Sequence, residues 1–250
     1  MASTQQGQQQ DAVAGGRPVV RLEQARPKGA PQHGMCMALH AFEANGGAGA
    51  PQVVAGYEDG SVALWDVRAV GRPLAEARLH KEAVMCLALG PPASRGPIPA
   101  EVAGGTGEEG EAAAVSGSDS GGAAVERCWV GISGSADSAL SFFSIDSAAG
   151  QLAQAGSQPL LSAGVGDAAV RTDGRVAATA HWDGRVRLWH ARKRAPLGVL
   201  RYHSKAVAAL ALGSAASGRL ASGARDGAVA VWSVFATGGG TGGGGGGAPD

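Results

Sequence analysis

The chain has no long apolar run. None approaches the ~18 residues of a membrane-spanning helix, and the N-terminus has no apolar signal core, so neither an anchor nor a leader is expected. Cys36, Cys86 and Cys128 are odd in number, far apart and without a CxxC pair, which points to a reducing compartment, cytoplasm or nucleus. Neither sign of charge dominates: 21 basic residues meet 21 acidic ones, so nothing global argues for nucleic acid or a membrane surface. No G-x-S-x-G elbow surrounds Ser222, and no Lys-Ser/Thr follows the terminal glycine run, so that run is no phosphate loop. Glycine (42) and proline (12) are abundant instead. Much of both lies in residues 1–16, 90–126 and 237–250, which lack periodicity and cannot bury enough apolar surface to offset backbone ordering. All three segments are expected to be disordered.

Between them the sequence repeats. "GYEDGSVALWDV" at 56–67 joins an Asp-Gly pair to alternating apolar residues ending in Trp65. Such a pair predicts a two-residue type I′ hairpin between strands. The pattern returns in "HWDGRVRLWHA" and "ARDGAVAVWSV", and more weakly in "SADSALSFFSI", where Phe143 stands for the tryptophan. Spacings between the landing aromatics Trp65, Phe143, Trp189 and Trp232 are 78, 46 and 43 residues. The last two fit the ~40–45-residue period of propeller blades, and the first contains the 90–126 insertion. Upstream, "HKEAVMCLAL" and "HSKAVAALAL" place Val, Leu and Leu at identical offsets from His80 and His203, while "HGMCMALHAF" fits less well. A third element, "GRPVVRL", "GRPLAEARL" and "APLGVLRY", reads as an outer strand. Each repeat is therefore expected to be four strands, a to d, in an all-β fold.

These motifs resemble WD-repeat β-propellers. "AGYEDGSVALWDV", "HKEAVMCLAL", "GISGSADSAL" and "ATAHWDGRVRLW" further resemble the guanine nucleotide-binding protein β-subunit-like protein 1 / ASTRA-associated protein 1 family, over roughly residues 31–234 without the insertion. The resemblance implies a seven-bladed ring, of which this chain carries four recognisable blades: about 31–67, 80–145, 158–190 and 203–234 within 17–236. The strand-like Pro18–Leu22 would pair with the strand ending at Trp232 if four blades closed by themselves; otherwise the chain is part of the larger design. The resemblance also implies a non-enzymatic interaction scaffold. Its expected partners are proteins, including a Tel–Tti-type co-chaperone that matures phosphatidylinositol-3-kinase-related kinases, or an ASTRA-like chromatin-remodelling complex. A G-protein β-like signalling module is the alternative, weakened by the lack of N-terminal coiled-coil heptads; an RNA- or phosphate-binding propeller is a third reading. No cofactor, metal, membrane or small-molecule substrate is expected.

His203, Ser222, Asp226 and Trp232 have the spacing of the hydrogen-bonded tetrad in WD blades, a structural device that gives each buried polar group a partner. Asp59, Asp137 and Asp183 mark the other blade turns; His80, Ser133 and Asp137 lack the tryptophan, and Thr179, Asp183 and Trp189 lack the histidine. "SDSGG" at Ser118–Gly122 and "ATAHW" around His181 mimic protease neighbourhoods, but in reversed chain order. The sulfur-rich "MCM" at 35–37 and "MC" at 85–86 fall on inner strands, where they are expected to fill core gaps rather than bind copper. Charge is unevenly placed. Residues 90–126 carry a net −5 and residues 171–205 a net +7, the latter including Arg185, Arg187, Arg192, Lys193, Arg194, Arg201 and Lys205. That strip is a candidate patch for an acidic partner or for the chain's own acidic loop.

Overall fold

The computed structural model describes residue 22 and residues 33–44, 49–69, 71–94, 127–162 and 164–235. Four antiparallel sheets stand side by side as propeller blades. The first is β1 (Cys36–Glu43), β2 (Pro51–Tyr57), β3 (Ser61–Asp66) and β4 (Ala75–Arg78), in that spatial order. The second is β5 (Val84–Leu89), β7 (Arg127–Ser135), β8 (Ala139–Asp146) and β9 (Gln151–Pro159), with the short β6 (Ala93–Ser94) also on β7. The third is β10 (Val165–Val170), β11 (Val176–His181), β12 (Arg185–His190) and β13 (Ala195–Arg201). The fourth has β14 (Val207–Leu212), β15 (Arg219–Ala224) and β16 (Val229–Ser233), with no outer strand among the described residues. Residues 17–21 lie outside the described set; Leu22 packs on Ala55, Ala63 and Trp65 of the first blade.

The blades meet through apolar faces, and the alternation seen in the sequence sorts residues between them. Val54, Val62 and Leu64 of blade 1 pack on Leu87, Leu89, Phe143 and Ile145 of blade 2. Ile132, Leu140 and Phe142 of blade 2 pack on Val165, Ala177 and Trp189 of blade 3. Ala178, Val186 and Leu188 then meet Val207 and Leu220 of blade 4. Hydrogen bonds stitch the same seams: Ser141 Oγ donates to the Leu79 carbonyl (3.0 Å), and the Leu210 amide donates to Asp167 Oδ2 (2.7 Å).

The turns differ from the expected type I′. The Gly60, Gly184 and Gly227 amides close onto the carbonyls of Tyr57, His181 and Ala224. These glycines have φ of +86°, +80° and +84°, while the aspartates before them are not among the positive-φ residues. This is a type I turn followed by a left-handed glycine, the three-residue hairpin loop, which leaves the aspartate free to fold back on the backbone. Two further expectations fail. Residues 90–94, assigned to the insertion, belong to the blade: the Gly90 amide donates to the Val130 carbonyl, and Ala93 and Ser94 pair with Cys128 and Arg127. Residues 95–126, including Ser118–Gly122 and the acidic run, lie outside the described residues. Met35, Cys36 and Met37 are exposed rather than core, because among the described residues no sheet covers that side of blade 1; Cys86 is buried, which pushes its thiol pKa up to about 12.

Candidate interaction face

Every blade turn is clamped by its aspartate. Oδ1 of Asp59, Asp137, Asp183 and Asp226 accepts the backbone amide two residues on, from Ser61, Ala139, Arg185 and Ala228 (2.9–3.1 Å). Oδ2 reaches the connection that enters the same blade: it accepts from the Lys81 amide (3.1 Å) at Asp137 and the Ser204 amide (2.8 Å) at Asp226. These local bonds fix the end of each blade at which the b–c turns and d–a connections emerge.

Beneath the turns lie polar ladders. In blade 4, Ser222 Oγ contacts His203 Nε2 (2.9 Å) and accepts from the Trp232 indole (2.9 Å), while Asp226 Oδ2 stands 3.4 Å from His203 Nδ1. That last separation is longer than a well-formed hydrogen bond. In blade 2, His80 spans Asp137 (3.2 Å) and Ser133 (2.9 Å); burial lowers the imidazole pKa against the opposing pull of Asp137. Ser222 is buried and engaged on both sides, so it offers no accessible nucleophile.

Three blades lack a tetrad member; Phe143 stands for the tryptophan of blade 2, and blades 1 and 3 replace theirs from the same place, two residues further along strand b. Blade 1 has Ala55 at the hydroxyl position, and Trp65 donates instead to the Tyr57 hydroxyl (3.1 Å). Its Asp59 binds His33 Nδ1 (3.0 Å), and the His33 ring stacks on Tyr57 with centroids 4.6 Å apart. Blade 3 has no histidine before its inner strand, and His181 supplies the ring. Its Nε2 lies 2.8 Å from Thr179 Oγ1, which also accepts from the Trp189 indole (2.8 Å). Burial pushes the His181 pKa down to about 3, helped by the nearby Arg187 charge and opposed by Asp183. Asp183 turns to arginine instead. Burial works against its charge, but bonds from Arg187, Ser162 and the Arg185 amide outweigh that and hold the carboxyl well below its usual range.

These placements break up the basic strip. Arg187 is buried and doubly bonded to Asp183 (3.2 and 2.7 Å), so it is not part of any surface patch. Arg192, Lys193 and Arg194 sit at the β12–β13 turn, while Arg185 pairs with Arg201 at the far end of the same strands. Six residues at ~3.3 Å rise separate the two groups by ~15–20 Å. Lys205 belongs with Arg185 and Arg201, since a Cβ on Gly184 would lie 3.1 Å from the Lys205 carbonyl.

The Arg185 end also exposes apolar side chains that the sequence reading passed over. Trp182 is 45% exposed, Tyr202 65% and Leu161 99%. Trp182 is held by its underside: a Cβ at Gly164 (φ +90°) would fall 2.1 Å from the indole, so only glycine lets the ring lie there. Ser162 Oγ donates to Asp183 Oδ2 (2.9 Å), tying the Leu161 loop to the same turn. Leu161, Trp182 and Tyr202 with Arg185, Arg201 and Lys205 thus gather around one clamped turn. Among the described residues, no group of three or more His, Cys, Asp or Glu is placed to hold a metal.

Residues 158–190 and 194–233 match the WD domain, G-beta repeat family. The chain is 30% identical over 210 residues to guanine nucleotide-binding protein subunit beta-like protein 1 of Mus musculus, covering 84% of this chain and 52% of that protein. It is 36% identical over 66 residues to ASTRA-associated protein 1 of Schizosaccharomyces pombe, covering 26% of this chain and 18% of that one. The chain therefore spans about half the length of the mouse relative and a smaller share of the fungal one. Among solved structures, the computationally designed Ika4 protein matches with a TM-score of 0.55 at 21% identity, over 88% of this chain and 99% of that chain. A chain in the Mitotic Checkpoint Complex matches at 0.52 and 22%, over 77% and 46%. At these identities the structural matches speak to the fold alone.

Proposed function

We propose that this chain, a WD40-repeat propeller homologous over part of their length to guanine nucleotide-binding protein subunit beta-like protein 1 and ASTRA-associated protein 1, is a non-enzymatic protein–protein interaction scaffold. One observation carries the reading of its site: Trp182, Tyr202 and Leu161 stand exposed beside Arg185, Arg201 and Lys205 around the Asp183 turn. Exposed aromatics flanked by arginine are the composition of interface hot spots, and a clamped turn presents them at little entropic cost. The partner chemistry that fits is an acidic segment with apolar anchors. Its carboxylates would meet Arg201 and Lys205, and its apolar groups would cover Trp182 and Tyr202.

The finer reading places that partner in a co-chaperone of the Tel–Tti type serving phosphatidylinositol-3-kinase-related kinases, or in an ASTRA-like complex, in the cytoplasm or nucleus. Support comes from the resemblance and, for the ASTRA-like complex alone, from the fungal relative's being an ASTRA-associated protein. The test is affinity isolation with three baits: the parent chain, Trp182→Ala/Tyr202→Ala, and Arg192→Glu/Lys193→Glu at the opposite end. Proteins held by the parent and the third bait but lost from the second support the reading. Loss from the third bait alone would move the site to the other end of the blade.

A further inference from the structure

The end of the blade 1–2 seam opposite the Asp turns carries polar atoms that the fold itself does not use. Gln52 pairs with Asp66, the residue after Trp65. The residues in the same register in blades 2 and 3 are Val130, opposite Ser144, and Val176, opposite His190. A glutamine only 3% exposed thus stands where two other blades take valine. It makes one bond across the seam: Nε2 donates to the Ser147 carbonyl of blade 2 (3.1 Å). That bond fixes the orientation of the amide, so Oε1 is an acceptor, and among the described residues it has no donor. Ser147 Oγ, on a residue 6% exposed, has no partner there either. A third such atom, the Trp129 indole nitrogen, lies in the same seam; its ring is 4.7 Å from that of Phe42, which pairs with Gln52. Buried polar groups in folded proteins are nearly all bonded, because an unbonded one has given up water for nothing.

Gln52 and Ser147 both line a cleft of about 530 Å³ between the two blades, a volume in the ~300–1,000 Å³ range of ligand sites. The charges beside it are already matched. Asp66 accepts the Arg68 amide and Nε at Oδ1 and Nη2 at Oδ2 (2.8–3.1 Å), so no free carboxylate faces the cleft from that pair. One wall is apolar: Leu74 is 41% exposed and lies over the turn of blade 2, where a Cβ on Gly150 would come 3.5 Å from it.

We propose that this cleft binds a neutral carboxamide. The ligand N–H donates to Gln52 Oε1, its carbonyl accepts from the Ser147 hydroxyl, and its aliphatic neighbours lie on Leu74. A carboxylate or a phosphate dianion has no hydrogen to give Oε1, and an ammonium would find Asp66 already held by Arg68. The amide can come from a peptide main chain or from an Asn or Gln side chain; the hydrogen bonds are the same. The site lies at the other end of the blades from the Trp182 turn, so it stands or falls apart from the scaffold reading.

Proton–nitrogen NMR of the whole chain tests it, with three probes titrated in turn: propionamide, N-methylpropionamide and propionate. The Gln52 side-chain amide and the Gly150 backbone amide should shift saturably with an amide and not with propionate, its anionic isostere. Saturation by propionamide alone assigns the site to an Asn or Gln side chain, and saturation by N-methylpropionamide to a main chain. Ser147→Ala should weaken the affinity about fivefold, as the loss of one neutral hydrogen bond implies, with circular dichroism unchanged. Gln52→Val, which copies blades 2 and 3, should abolish the shift at Gly150; Ser147→Ala remains the test if that variant disturbs the fold. An equal response to propionate overturns the proposal, as does undiminished affinity in both variants. So does a water held at Gln52 that neither amide displaces, which would mean an ordered water only.

Discussion

Replacing Thr179 by valine removes one oxygen and almost no volume, and the blade 3 ladder should feel it strongly. Thr179, His181 and Trp189 are all buried, and Thr179 Oγ1 serves both the imidazole Nε2 and the indole N–H at 2.8 Å. With the His181 pKa held near 3 the ring is neutral at pH 7. The assignment that satisfies most groups puts its proton on Nε2, donating to Oγ1, while the Thr179 hydroxyl donates to the Arg187 carbonyl (3.4 Å). Among the described residues His181 Nδ1 already has no hydrogen-bond partner, so valine would leave the ring with none there and the indole with none. Each orphaned buried donor costs ~1–3 kcal/mol, and the added methyl returns only a fraction of ~1 kcal/mol. A net loss of ~2–4 kcal/mol follows, which at this chain length lowers Tm by about 5–15 °C. Urea denaturation followed by tryptophan fluorescence and far-ultraviolet circular dichroism reads it directly. Thr179→Ser keeps the oxygen and should recover most of the loss. A Thr179→Val chain within ~0.5 kcal/mol of the parent would refute the ladder as a source of stability.

The His181 pKa is depressed below its unfolded value, so its contribution is complete above pH ~6.5 and is lost as pH falls towards about 3. His181→Gln should therefore flatten the decline in denaturation midpoint between pH 6.5 and pH ~4.5; parallel pH curves for the two chains would remove His181 from the account. Gly60→Ala should destabilise far more than Gly227→Ala, although φ is about the same: the first Cβ falls 2.3 Å from the His80 carbonyl, the second meets nothing. Equal Tm shifts would mean that backbone strain alone matters. Asp137→Ala frees both the His80 ring and the Lys81 amide and should lower stability, with hydrogen exchange at Lys81 accelerating first; unchanged exchange there would contradict the clamp.

Much of this architecture is legible in the chain because its local chemistry repeats. Trp232, Ser222 and His203 stand at distances that strand pairing brings together, and Asp-Gly turns mark every b–c hairpin but one. Strand β9, "QLAQAGSQP", gives no signal, since an outer strand packs little and needs no apolar alternation. Tyr57 and His181 escape notice for another reason: they fill tetrad roles from strand positions where the repeat has no requirement, so only the folded register shows them adjacent. The basic strip misleads because residues 185–205 are close in sequence yet lie at opposite ends of a blade. Sulfur at 35–37 looks like core because burial of an inner strand depends on a neighbouring sheet, which sequence pattern cannot supply.

The central claim is that a partner binds the loop end around Trp182. Hydrogen–deuterium exchange on the isolated complex, at physiological salt, measures this most directly. The account predicts slowed exchange in residues 160–164, 181–185 and 200–206 on partner binding, with residues 190–195 at the other end unchanged. Protection confined to residues 190–195, or spread over neither end, would contradict it.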